Sequence, residues 1–355
     1  MDSKTRVMKS LNFEKADRIG ISDMGFWEEF KVKCINELKL PADTDLMDYF
    51  NIDIHIAVPD ETPFPLKAEI ISETGDTVIE RNGWGSIVKK RKGAYFEEDL
   101  EAAVKDRKDF DNLQFDPVDL EQRYIEWEKE VKLAKQKGKC IFGKIGGPFL
   151  RTEFIRGKMD YLMDIAGDPG FVKEMVDQMT DHLLGIAKEE LRRGNLYDTG
   201  IWIFDDIGGN LAPMMSPKSF EYIYYPAYKK LVREIKKAGA AKVGLHCDGN
   251  IMPILDLLVD AGIEILNPIE PKAGMSIAKL MKIYGKKLSY VGGMCNSFVL
   301  PKGTKNEVIN KTLELLELAK DGGVVIGTHS IGPDVPVENY IAYNSTVING
   351  GRVYS

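Results

Sequence analysis

Apolar, strand-like runs that alternate with amphipathic helical stretches predict an α/β chain, and eight such units predict a closed (β/α)8, or TIM, barrel. Three observations carry this. The strand-like runs fall near residues 18–23, 52–58, 139–145, 199–205, 242–248, 263–269, 288–294 and 323–328. They are apolar enough to be strands of a parallel sheet covered on both faces. The last five finish in chemistry-bearing side chains: Asp205-Asp206, His246-Cys247-Asp248, Glu270, Cys295 and His329. In a barrel those ends converge on one mouth, where active sites lie. A doubly wound open sheet is the alternative, but the first strand–helix turn lacks the glycine fingerprint of the dinucleotide-binding folds.

Taken in order, the chain opens with a short helix and a strand that ends at Asp23. Phe26, Phe30, Cys34 and Leu38 recur at helical spacing. The second strand holds His55 among apolar neighbours, so His55 reads as a core histidine. Residues 66–92 differ: three short strands, with turns at Gly75-Asp76 and Asn82-Gly83, predict an antiparallel β-hairpin excursion. It would decorate the barrel and form a flap. Residues 93–138 are a charged insertion with a long exposed helix over 120–137. The third strand carries Lys144 and breaks at Gly146-Gly147-Pro148, with Arg151 and Arg156 close behind. A glycine pair there suits either a backbone approach to a ligand or a tight turn. From residue 168 the pattern is regular. Helices over 168–193, 219–239, 277–284, 305–320 and 337–348 separate the remaining strands. The whole chain, 1–355, reads as a single barrel domain.

Composition narrows the function. The net charge of −7 argues against nucleic acid as the main partner. No apolar run approaches the roughly 20 residues that span a bilayer, and the opening Met1-Asp2-Ser3-Lys4-Thr5-Arg6 leads into no signal-peptide core. The expectation is a cytoplasmic protein whose four cysteines, Cys34, Cys140, Cys247 and Cys295, are free thiols.

The stretch Leu245-His246-Cys247-Asp248-Gly249-Asn250 is the centre of the expected site. Side chains alternate along a strand, so His246 and Asp248 share one face and Cys247 takes the other. A histidine and a carboxylate two apart make half of a metal site. By itself His246 serves equally well as a polar cap on the next helix. Convergence with Asp205, Glu270, Cys295 and His329 favours the functional reading.

These residues also carry a resemblance. From about residue 147 to 350 the chain resembles the uroporphyrinogen decarboxylase superfamily. The matching pieces are Gly147-Pro148-Phe149, Ile203-Phe204-Asp205-Asp206-Ile207-Gly208, Ser216-Pro217 ahead of Tyr225-Pro226, and His246-Cys247-Asp248-Gly249-Asn250. Ile265-Leu266-Asn267-Pro268, Thr328-His329-Ser330-Ile331-Gly332-Pro333-Asp334 and the opening Arg6-Val7-Met8 to Asp17-Arg18 complete them. The resemblance implies a (β/α)8 barrel. The true decarboxylases act on a tetrapyrrole without cofactor and carry an N-terminal Arg-Gln-Ala-Gly-Arg stretch. The region after Asp23 reads Met24-Gly25-Phe26-Trp27-Glu28-Glu29 instead. The ends of the strands are acidic, where a substrate with many carboxylates calls for Arg and Lys.

The other branch is the corrinoid-dependent methyltransferases. There, zinc is held by a His-x-Cys on one strand and a Cys on the last strand. His246 matches the histidine; Asp248 stands at the first cysteine and His329 at the second. The resemblance therefore implies a harder metal set of His246, Asp248 and His329, with Cys295 as a further ligand, and zinc as the metal. Asp205, Asp206 and Glu270 are expected to transfer protons, and Asp23, Trp27, Lys144 and Cys247 to line the substrate pocket. Oxygen and nitrogen ligands suit an oxygen-bearing substrate. The expected reaction moves a methyl group from a small methylated donor to cobalamin on a separate corrinoid carrier protein, in the manner of an O-demethylase. A homodimer is the family's common assembly. A metal-free lyase like uroporphyrinogen decarboxylase is the alternative, and a non-catalytic binding protein the third reading.

Overall fold

The computed structural model describes residues 1–93 and 97–350, so residues 94–96 of the predicted insertion and the tail from 351 lie outside the described residues. Among the described residues, twelve strands form two sheets. In chain order they are β1 (Ile21–Phe26), β2 (Ile54–Ala57), β3 (Glu69–Thr74), β4 (Thr77–Arg81), β5 (Ile87–Arg91) and β6 (Glu97–Glu101). They continue with β7 (Cys140–Gly146), β8 (Gly200–Phe204), β9 (Lys242–His246), β10 (Ile265–Asn267), β11 (Ser289–Gly293) and β12 (Val324–Ile331). Eight of them form a parallel ring in the order β1-β12-β11-β10-β9-β8-β7-β2, the barrel that the alternation predicts. The ring meets at its base, where the Asp53 N–H donates to the Ile21 carbonyl at 2.8 Å. Asp53 itself is fully buried and takes up Arg6, Arg18 and the Ile21 N–H.

Alternation sorts the strand residues. Ile54, Cys140, Phe142, Trp202, Ile265, Val291 and Val325 fill the barrel interior, and Val7 and Leu11 of helix Ser3–Leu11 join them from the N-terminal end. Further along the strands, the period of two carries Lys144, Phe204, His246, Asn267 and His329 inward as the top layer. The first strand is shifted from its expected position. It runs to Phe26, so Asp23 lies mid-strand rather than at the end, and the odd position points it outward.

Helices cover the outside. Pro169–Gly194 is capped by the Asp168 carboxylate, which accepts the Phe171 N–H at 3.0 Å. Phe171, Met175, Met179, Leu183 and Ile186 are all buried, as their spacing predicts. The helix expected over 219–239 is divided into Pro217–Ile223 and Tyr225–Lys237. Pro226 has no N–H to continue the ladder, and it starts the second segment. The expected exposed helix of the insertion is Ile125–Gln136, and it is not wholly solvated. Trp127, Val131 and Ala134 are buried, so it serves as the crossover between β2 and β7.

The antiparallel excursion is larger than the predicted hairpin. β3, β4, β5 and β6 make one four-stranded sheet, whose last strand lies in a stretch that charge alone suggested was helical. Asn82-Gly83 does not form a two-residue turn. The Asn82 side chain accepts the Trp84 and Ser86 N–H groups and organises a wider loop between β4 and β5. No helix among the described residues is long and apolar enough to cross a membrane. All four cysteines are buried free thiols.

Candidate metal centre at the barrel mouth

His246 closes β9, and Asp248 follows two residues later on the same face. His329 sits on β12, three strands away around the ring. Their ligand atoms lie within 4.8 Å of one another. His246 Nε2 is 3.9 Å from Asp248 Oδ1, and His329 Nε2 is 3.6 Å from Asp248 Oδ2. Ligand atoms stand about 2.0–2.2 Å from a zinc ion, so two ligands of one ion are at most about 4.4 Å apart; both pairs fall inside that limit.

Three features make this group fit a cation. The first is the tautomer of His246. Asn267 Nδ2 donates to the Val291 carbonyl at 2.8 Å, which leaves Oδ1 as the acceptor for His246 Nδ1, 2.5 Å away. The proton is thus held on Nδ1, and the Nε2 lone pair faces Asp248 and His329. Histidine ligands of metals are oriented in this way by an outer partner. The second is charge. Burial, and then the neighbouring His329, push the His246 imidazolium well below its ordinary pKa, so the ring is neutral and able to donate a lone pair. The third is an orphan. Asp248 Oδ1 is closed off from solvent and has no hydrogen-bond partner among the described residues. A buried carboxylate oxygen without a partner is costly unless something positive completes it. Two imidazoles and one carboxylate suit a borderline divalent cation such as zinc or ferrous iron.

Neighbouring groups hold the triad in place. The Phe204 ring stacks on His246 with centroids 4.3 Å apart. Ser330 Oγ lies 2.9 Å from His329 Nδ1 and accepts the Trp27 indole N–H at 3.0 Å, which brings Trp27 to the rim. Asp206 is exposed at the mouth, and its Oδ1 accepts the Asp248 N–H at 3.5 Å. Glu270 Oε2 accepts the Gly249 N–H at 2.8 Å, while Oε1 pairs with Lys272 at 3.1 Å. Cys295 lines a small recess beside Glu270 and His329 but is not one of the three clustered ligands.

Other expected site residues lie elsewhere. Asp205 is fully buried and committed. It accepts the Phe149 and Leu150 N–H groups at 3.0 and 2.7 Å and the Tyr228 hydroxyl at 2.7 Å. It therefore caps helix Pro148–Arg156, and burial raises its pKa to about 7. A Cβ on Gly147 would stand 2.1 Å from the Asp205 side chain, so this glycine serves packing rather than ligand approach. Asp23 points away from the mouth, with Tyr340 and Tyr343 donating to it from helix Val337–Gly350 and Thr328 N–H donating at 3.1 Å. Burial raises its pKa to about 7. Cys247 is buried in the outer core, as alternation requires. Lys144 faces inward, but its Nζ is paired with Glu61 at 2.9 Å.

Sequence reading missed Asn267, Ser330, Glu61 and Arg151. Glu61 bridges Lys144, Arg151 and the Gly146 N–H. Burial alone would raise its carboxyl; Arg151 and Lys144 outweigh that and hold it at about 2. Nothing in the local pattern marks Glu61. Asn267 carries a signal in its place, since it lies opposite His246 in the register of β9 and β10.

Comparison with known proteins agrees with this architecture. In the solved structures the chain is similar to a methyltransferase from Methanosarcina mazei, with TM-score 0.71, 19% identity and 99% of each chain covered. A B12-independent methionine synthase from Shewanella sp. W3-18-1 matches at TM-score 0.47 and 12% identity, over 86% of this chain and 84% of the other. A Penicillium canescens endo-1,4-beta-xylanase matches at TM-score 0.41 and 11% identity, over 64% and 79%. At 19% identity the likeness to the Methanosarcina mazei protein shows the fold alone. No curated protein matches the chain in sequence. The family model described as uroporphyrinogen decarboxylase (URO-D) matches residues 76–349, well over half of the sequence, and the chain belongs to that family.

Proposed function

We propose that this protein is a metal-activated methyltransferase that moves a methyl group from a small methylated donor to a corrinoid on a separate carrier protein. The observation that carries this reading is the His246–Asp248–His329 cluster with its orphaned Asp248 oxygen at the barrel mouth. The fold shared with a methyltransferase from Methanosarcina mazei is consistent with it. A divalent cation, with zinc as our expectation, would be held by His246 Nε2, the Asp248 carboxylate and His329 Nε2, and would supply Lewis acidity to a substrate heteroatom.

The protein's own residues do the rest. Asn267 fixes the His246 tautomer, and Phe204 packs the ring so that it does not rotate. Ser330 and Trp27 orient His329 from the rim. Both oxygens of Glu270 are engaged, so Glu270 positions the turn at Gly249 rather than carrying a proton. Asp206, exposed beside Asp248, is the carboxylate suited to exchange a proton between a leaving heteroatom and water. The nitrogen and oxygen donors favour an oxygen-bearing, O-demethylase type of donor over a thiol.

Metal analysis of the purified protein tests this. The expected result is one zinc per chain, lost on His246→Ala, with methyl transfer to free cob(I)alamin abolished by chelation and restored by Zn²⁺. Protein that takes up neither Zn²⁺ nor Co²⁺, or that decarboxylates a porphyrinogen without metal, would overturn it in favour of a lyase.

A further inference from the structure

The barrel does not close evenly. Among the described residues, seven neighbouring strand pairs form continuous parallel ladders, but β1 pairs only with β12 and β2 only with β7. Above the single bond from Asp53 to Ile21 the two strands part. The opening leads into a cavity of about 440 Å³. A cavity of about 150 Å³ holds a benzene-sized guest, and small-molecule pockets run from about 300 to 1,000 Å³.

Met24, which lines this cavity, lies one strand away from a member of the cluster. Asp23 lies opposite Thr328 and Gly25 opposite Ser330, so Met24 stands level with His329 on the adjacent strand. Met24 and Ile56 both pack against the barrel interior. By contrast, the recess at the top beside Glu270, Cys295 and His329 measures about 10 Å³, room for no more than about one water. Thioether and aliphatic side chains, Met24, Met47, Ile54 and Ile56, make up much of the wall; Asp23 also lines it, with its carboxylate taken up by Tyr340 and Tyr343. The charged groups at its rim have partners already. Lys31 pairs with Glu28 at 3.3 Å, His55 with Glu130 at 2.8 Å, and Asp45 with Lys137 at 2.9 Å. Such a pocket suits an uncharged, apolar ligand rather than an ammonium or a carboxylate.

We propose that the unzipped seam between β1 and β2 is the binding pocket and side entrance for the donor, an uncharged methyl ether whose ether oxygen reaches the His329 side of the cluster past Met24. This inference rests on the methyltransferase reading. It also answers a steric demand of that reading: a carrier protein docked over the mouth would block a small substrate from above, whereas a lateral opening lets the two partners load independently.

Titration of the Co²⁺-loaded protein with anisole, followed by calorimetry and by the visible absorption of the ion, tests the pocket. Wild type should bind anisole saturably and shift the Co²⁺ spectrum. Met24→Trp, which fills the inner end, should weaken binding about tenfold or more with Co²⁺ stoichiometry unchanged. Thr44→Trp narrows the opening from a loop outside the barrel and should also weaken binding, which keeps the test decisive where Met24→Trp fails to fold. Absence of saturable binding, or binding unchanged in both variants, would overturn the seam while leaving the metal reading intact. Failure of wild type to take up Co²⁺ would instead sink the metal reading, and calorimetry with anisole would still judge the pocket.

Discussion

Replacing Asn267 with alanine separates a positioning residue from a merely structural one. Asn267 makes two buried hydrogen bonds, accepting from His246 at 2.5 Å and donating to the Val291 carbonyl at 2.8 Å. Each bond contributes about 1 kcal/mol, and the Val291 carbonyl left without a donor costs about 1–3 kcal/mol more, so the metal-free protein should lose about 3–5 kcal/mol. A further loss concerns the ion alone. With no acceptor at Nδ1, His246 no longer keeps its proton there, and its ring is less firmly aimed. Loss of such an outer partner weakens metal binding about 10–100-fold, or about 1.4–2.7 kcal/mol. The assays are urea unfolding in chelator for the first quantity and Zn²⁺ competition against a chromophoric chelator for the second. Asn267→Asp keeps an acceptor for His246 while it removes the donor to Val291. It should therefore retain Zn²⁺ affinity while losing stability. If Asn267→Ala binds Zn²⁺ within about twofold of wild type while its stability falls as expected, the positioning argument is wrong.

Three further outcomes are expected. Asp205→Ala removes three buried hydrogen bonds to Phe149, Leu150 and Tyr228 and should cost about 3 kcal/mol or more in urea unfolding, with Zn²⁺ affinity retained; preserved stability would contradict its capping role. Gly147→Ala forces a Cβ to within 2.1 Å of Asp205 and should destabilise the protein by more than about 4 kcal/mol; a fold as stable as wild type would refute the packing reading. Asp23 has a folded pKa raised to about 7 by burial, so between its unfolded value near 3.8 and about 7 the native state binds the extra proton; its stability falls as pH rises through that window and levels off above it. Asp23→Asn cannot ionise, and relative to it wild type should lose up to about 1.4 kcal/mol per pH unit between about pH 4 and pH 7; thermal melts at about pH 5 and 7 with a constant difference between the two proteins would refute this.

Much of this was legible in the chain itself. Seven of the eight barrel strands stand close to their expected positions, and the first lies three residues further on, because apolar strand and helix periods are local signals that a parallel barrel leaves intact. The stripe at Phe171, Met175, Met179, Leu183 and Ile186 is buried for the same reason. His246, Asp248 and His329 were readable as a group, since strand ends of one polarity converge on one mouth. Asp205 was not readable because position near a strand end does not say which way a carboxylate turns. Asp205 turned to a helix N-terminus, and Asp23 to two tyrosines on the last helix.

What the sequence by itself determined is thus the parallel ring, the strands that bring His246, Asp248 and His329 together, and which of His246, Cys247 and Asp248 face inward. These follow from period and burial, which act between near neighbours. Only the tertiary structure decided the tautomer of His246, the commitment of Asp205 and Glu270, and the parting of β1 from β2. Each depends on groups far apart in the chain, such as Asn267 beside His246 or Asp53 beneath Ile21. No local pattern encodes which of those distant partners a polar group will meet when the barrel closes.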